Sequence, residues 1–120
     1  MRLALLLMVV LGVSGCVTSA PSSEPARQMS VMADADRALD ESLALLMQRG
    51  YVITMADGGL GRIDASLARS PGYRVEVRVT ESTPSGASIA LQAFRGGRLL
   101  PAAVVEPLFV ELQRRLAEAP

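Results

Sequence analysis

The sequence has no lysine, no histidine and no tryptophan, and its only cysteine is Cys16. Each absence removes a chemistry. Without histidine or lysine, no serine has a partner to take its proton, and no second thiol offers a free nucleophile. A lone cysteine makes no intrachain disulfide. A domain of this size without disulfides holds together by core packing, within a narrow margin. All 12 basic side chains are arginine, balanced by 12 aspartates and glutamates, and the lack of lysine reads as the codon bias of a GC-rich genome. There is no basic excess of the kind that phosphate backbones require, so no nucleic-acid partner is expected. A chain of 120 residues supports one small domain.

What is present begins with an export signal. Met1-Arg2 is a short positive start, and residues 3–13 (LALLLMVVLGV) form an unbroken apolar run. Crossing a bilayer takes about 20 residues, so this run is too short to span and suits a secretory signal instead. It ends in Val13-Ser14-Gly15-Cys16. An aliphatic residue, two small residues and a cysteine directly after an export signal resemble the lipobox of bacterial lipoproteins, although Val13 stands where leucine is commoner. The resemblance implies a thioether lipid on Cys16, cleavage between Gly15 and Cys16, and acylation of the new amino terminus. A plain secretory signal cut near Ala20 is the alternative. Loss of Arg2 with the signal leaves 11 basic and 12 acidic side chains, a formal charge of −1. Several acyl chains, at about 0.8 kcal/mol per buried CH₂, hold a protein on a membrane nearly permanently. The second mature residue is Val17 rather than aspartate, which in a Gram-negative cell implies the periplasmic face of the outer membrane. Residues 17–33, rich in Ser, Pro and Ala, read with Cys16 as a flexible tether over 16–33.

The pattern beyond residue 34 predicts an α+β domain over 34–118. Residues 34–48 are expected to be helical, with Ala35, Leu39, Ser42, Leu43 and Leu46 on one stripe, acids at the amino-terminal end and Gly50 beyond the last turn. Four strand-like segments follow at 51–56, 61–69, 73–81 and 87–95, joined by short turns rich in Gly, Pro and Ser. The third alternates most clearly, Tyr73, Val75, Val77 and Val79 against Arg74, Glu76, Arg78 and Thr80. A closing helix runs from Pro101, or from Glu106 once Pro107 is considered, to Glu118, with Val105, Phe109, Leu112 and Leu116 as its stripe. The expected fold is a two-layer α-β-β-β-β-α sandwich, a four-stranded antiparallel meander with both helices on one face. This order, with a helix ending in Arg49-Gly50-Tyr51, a strand from Gly61 to Ala65 and Phe109 in the last helix, resembles in outline small domains of outer-membrane accessory lipoproteins, including those serving β-barrel assembly. No functional residue is carried over from that likeness.

Candidate sites divide between chemistry and plain structure. Residues 57–62 (DGGLGR) are glycine-dense, but a strand rather than a helix follows and lysine is absent, so a hairpin turn is favoured over a phosphate cradle. Asp34, Asp36, Asp40 and Glu41 lack the loop spacing of a calcium site and read as a solvated helix face. Met29, Met32, Met47 and Met55 read as core or tether residues rather than Cu(I) ligands. Asp64 and Glu76 sit among Arg62, Arg74 and Arg78, which points to cross-strand ion pairs rather than a glycosidase pair. Residues 87–94 (ASIALQAF) carry no charge. As an edge strand they would invite β-augmentation, with Ser88, Ala90, Gln92 and Phe94 as the partner-binding residues; the alternative is that the sheet, the tether or the last helix covers them.

These readings lead to a non-catalytic lipoprotein, an interaction or structural module of the cell envelope. It needs no cofactor or metal, is held to the membrane through Cys16, and has an envelope protein as its partner. The second reading is a periplasmic small-ligand or metal-binding lipoprotein, which requires an apolar pocket between helices and sheet.

Overall fold

A computed structural model describes residues 26–118. The fold is built on the alternation that is clearest in strand β4 (Tyr73–Thr83), where Tyr73, Val75, Val77 and Val79 are buried and Arg74, Arg78 and Thr80 reach solvent. β4 pairs antiparallel with β3 (Arg62–Leu67) on one side and β5 (Gly86–Arg95) on the other. β2 (Tyr51–Asp57) pairs with β3 and forms one outer edge. These four strands are the expected meander, and the protein is α+β.

Two strands were not expected. β1 (Arg27–Val31) pairs antiparallel with β5, Arg27 facing Leu91 and Val31 facing Ala87. β6 (Arg98–Leu99) folds back on Phe94 and Arg95. The sheet order is therefore β1-β5-β4-β3-β2, with β6 beside β5. This corrects the tether assigned to 16–33 and the domain start at 34, because residues 27–31 belong to the sheet. Five residues with little charge and two partly buried apolar side chains, Met29 and Val31, give too short a pattern to stand out. The uncharged edge of β5 selects them. Residues 16–25, the rest of that expected tether, lie outside the described residues.

Helix α1 (Ala35–Gln48) starts at Asp34, whose carboxylate accepts a hydrogen bond from the Arg37 N–H at 2.7 Å. It stops at Arg49, and Gly50 turns the chain with φ +86°. The buried face is Ala38, Ser42, Leu45 and Leu46, rotated from the expected stripe toward Ala38 and Leu45. Ser42 is tolerated inside because its hydroxyl donates to the Ala38 carbonyl at 2.7 Å. At the other end Ala102–Val105 forms a single 3₁₀ turn, and helix α2 (Glu106–Ala117) begins at Glu106. Pro107 thus falls in the first turn, where its missing N–H costs nothing.

Val77 and Leu91 face each other across β4 and β5, and meet Ser42, Leu45 and Leu46 of α1 with Leu108 and Leu112 of α2. The gap left among these seven side chains is about 10 Å³, room for one water at most. The apolar ligand pocket that a small-molecule carrier would need at this place is filled by side chains.

The turn from β2 to β3 depends on Gly61. Its φ is +65°, and a Cβ there would lie 2.1 Å from the Val79 carbonyl oxygen of β4. The same approach lets the Val79 N–H donate to the Gly61 carbonyl at 2.6 Å. Gly61→Ala is expected to cost at least about 2 kcal/mol in urea unfolding, since both the left-handed backbone and the close approach are lost. Gly96→Ala, with an equally left-handed φ of +56° but open space around the Cβ, should cost clearly less. Equal losses would contradict the close-approach account.

Candidate functional site

The solvent-facing side of the sheet carries an ion network centred on Glu76. Asp64 of β3 and Glu76 of β4 are register partners, flanked by Arg62 opposite Arg78 and by Ser66 opposite Arg74. Arg62 grips Asp64 through two hydrogen bonds of 3.1 Å each and reaches Glu76 at 3.4 Å. Arg78 donates to the other oxygen of Glu76 at 2.7 Å, and Arg74 lies 3.7 Å away. The Glu76 side chain is only 8% exposed under these three guanidiniums. Hydrogen bonding to Asp64, then the charge of Glu76, raises the Arg62 pKa above its ordinary value. Both carboxylates are thus paired with arginines, the ion pairs that the sequence pattern predicts. Arg74 also lies over the Phe94 ring, 4.1 Å from its centre.

Ser88, Ala90, Gln92 and Phe94 line up on this same polar face, opposite Thr80, Arg78, Glu76 and Arg74 of β4. They do not form an open edge. β1 pairs with Ala87 through Leu91, setting Ser30 against Ser88 and Gln28 against Ala90, and β6 pairs with Phe94. Strand addition by a partner at β5 is corrected on that ground: the chain's own amino-terminal segment holds the place. The outer edge at β2 is broken by a bulge between Ile53 and Met55, a common defence of exposed edges.

The other candidates resolve into structure. The 57–62 segment is a hairpin turn in which the Asp57 carboxylate accepts from the Leu60 N–H at 3.0 Å. An open hollow of about 340 Å³ lies beside it, but Asp36 and Glu81 line that hollow, a poor setting for an anion. Among the described residues no group of three or more acids, histidines or cysteines is placed to hold a metal ion. Glu41 faces Arg115 of α2 at 3.6 Å, so one of the four helix acids belongs to an interhelical pair. Met29 packs against the core, whereas Met32 is 90% exposed. Cys16 and Gly15 lie outside the described residues.

Sequence reasoning missed a cleft at the end of the sheet where α1 gives way to β2. Tyr51 and Tyr73 meet there with ring centres 6.3 Å apart. The cleft measures about 180 Å³; Leu67, Val104, Pro107 and Leu108 complete its apolar lining, and Arg49 and Arg69 stand at it. Arg95 lies over the Tyr73 ring and donates to Ser70. Burial, then hydrogen bonding and charge from Tyr73, holds the Tyr51 phenol above its ordinary range. Arg49, Arg69 and Arg95 each sit at a strand junction with no acid beside them in sequence, but the sequence alone does not bring the three together.

No family model matches the chain, and no curated protein matches it in sequence.

Two outcomes follow. Glu76→Ala should lower stability by about 1–2 kcal/mol, more than Asp64→Ala, because it takes the ion-pair partner from Arg74 and Arg78 and one of two from Arg62, whereas Asp64→Ala leaves Arg62 still beside Glu76. Equal or negligible losses would contradict the central place given to Glu76. For Tyr51, the folded pKa lies above the unfolded value of about 10, so its contribution is intact below that pH and is lost as pH rises above it. Tyr51→Phe should flatten the decline of the urea midpoint above about pH 10; an unchanged decline would contradict the assignment.

Proposed function

We propose that this chain is a membrane-anchored, non-catalytic lipoprotein of the bacterial envelope, an interaction or structural module held at the periplasmic face of the outer membrane. The observation that carries this reading is Val13-Ser14-Gly15-Cys16 placed directly after the apolar run 3–13. Its partners are the membrane, through lipidated Cys16, and an envelope protein.

Two structural observations support it. The acids best arranged for hydrolytic chemistry, Asp64 and Glu76, are spent on Arg62, Arg74 and Arg78. The gap among Ser42, Leu45, Leu46, Val77, Leu91, Leu108 and Leu112, in the middle of the core, is too small for a ligand. A third observation concerns how an anchor would act. Ten residues separate Cys16 from Arg27, so a lipid on Cys16 lies at most about 40 Å from the sheet. A module rooted in this way presents itself to partners close to the bilayer rather than at the end of a long leash.

Intact-mass analysis of the protein from its membrane fraction is the test. The expected species starts at residue 16 and carries three acyl chains with their glycerol, and Cys16→Ser is expected to leave the membrane fraction. An unmodified amino terminus downstream of residue 16 would overturn the anchored reading.

A further inference from the structure

The two ends of the sheet carry opposite charge. Where α1 ends, Arg49 precedes Tyr51, which pairs with Leu67 at the end of β3. Arg69 follows in the turn to Tyr73, and Tyr73 pairs with Arg95, which in turn pairs with Arg98. Arg49, Arg69, Arg95 and Arg98 therefore share one end. All four are exposed, none is in an ion pair among the described residues, and residues 49–50, 68–72 and 96–101 contain no acid. At the opposite end stand Asp34, Asp36, Asp57 and Glu81. A chain with a formal charge near zero is thus strongly polarised along its strands.

β1 fixes which end faces the anchor. It runs from Arg27, opposite Leu91, to Val31, opposite Ala87. The segment before Arg27 thus enters from the side on which β5 continues to Arg95, four residues or about 13 Å further along. A chain tied at Cys16 is pulled from the arginine end.

We propose that Arg49, Arg69, Arg95 and Arg98 form a docking surface for anionic phospholipid headgroups of the bilayer that holds the anchor, with the acidic end turned away from it. The proposal rests on the lipoprotein reading for its geometry, and three features favour it. Charge complementarity is direct, since guanidiniums pair with phosphates in two-point geometry. The cleft between Arg49 and Arg69 has an apolar floor containing Tyr51 and Tyr73, the amphipathic side chain enriched where headgroups meet hydrocarbon. The covalent limit of about 40 Å between Cys16 and Arg27 leaves the arginine end within reach of the surface.

The test uses the mature chain, residues 16–120, with Cys16→Ser, so that binding reads the arginine end without any lipid anchor. Its failure is then separable from failure of the lipoprotein reading, which the mass of Cys16 decides. At about 50 mM salt the chain should sediment with vesicles containing one quarter phosphatidylglycerol and not with pure phosphatidylcholine. Arg49→Gln, Arg69→Gln, Arg95→Gln and Arg98→Gln should each weaken partitioning by about five-fold. Arg37→Gln, the same charge change near the acidic end, should leave it nearly unchanged. Urea midpoints confirm that each variant is folded. Equal loss in Arg37→Gln, or binding that survives combined loss of the four arginines, would overturn the proposal. So would no preference for phosphatidylglycerol, or a thermal shift with inorganic phosphate but no vesicle binding.

Discussion

The pairing of β1 with β5 is the contact on which the rest of the structure depends. β5 carries no charge between Gly86 and Phe94, and left open it would be a long apolar edge ready to recruit another chain. Arg27–Val31 closes that edge from within the same chain. Its first residue is held twice more: the Arg27 guanidinium bonds Glu106 at 3.0 Å and lies over the Phe109 ring at 4.4 Å. Each of these surface contacts is worth at most about 1 kcal/mol, but together they tie the start of β1 to α2. Any force along the amino-terminal segment is thereby delivered to the sheet and to one helix.

Three groups of charge on this protein separate structure from surface. On the polar face of the sheet, arginines and acids neutralise each other around a nearly buried Glu76. Between the helices, Arg115 faces Glu41 and Glu111 and also bonds Gln48, joining α2 to α1. Among the described residues, the four arginines at the end where α1 gives way to β2 form no ion pair. Paired charges of the first two kinds hold the fold. Charges of one sign that form no ion pair among the described residues, gathered toward the end from which β1 starts, are available to something outside it.

Much of the fold was legible in the sequence, because β3 and β4 alternate cleanly and the turns between strands are built from residues with one conformational job. The acids at the start of α1 and the Gly50 stop were legible for the same reason, and Glu106 was one of the two starts, with Pro101, that the sequence offered for the last helix. β1 was not. Its residues, RQMSV, acquire a strand's character only from the partner they pair with, and that partner lies about sixty positions away. The same non-local fact hid the fate of Ser88, Ala90, Gln92 and Phe94, which are a row on a face and not an edge. The ion pairs at Asp64 and Glu76 could be foreseen from strand register alone. The arginine end could not, since Arg49, Arg69, Arg95 and Arg98 come together only once the strands are laid side by side.

Amide hydrogen exchange across residues 27–31 tests the central pairing most directly. Alternate amides in that stretch should exchange as slowly as those of β4, together with their partners at 87–91. Exchange of the whole stretch at the rate of an unstructured peptide would contradict the pairing, and with it the direction from which the proposed anchor would reach the domain.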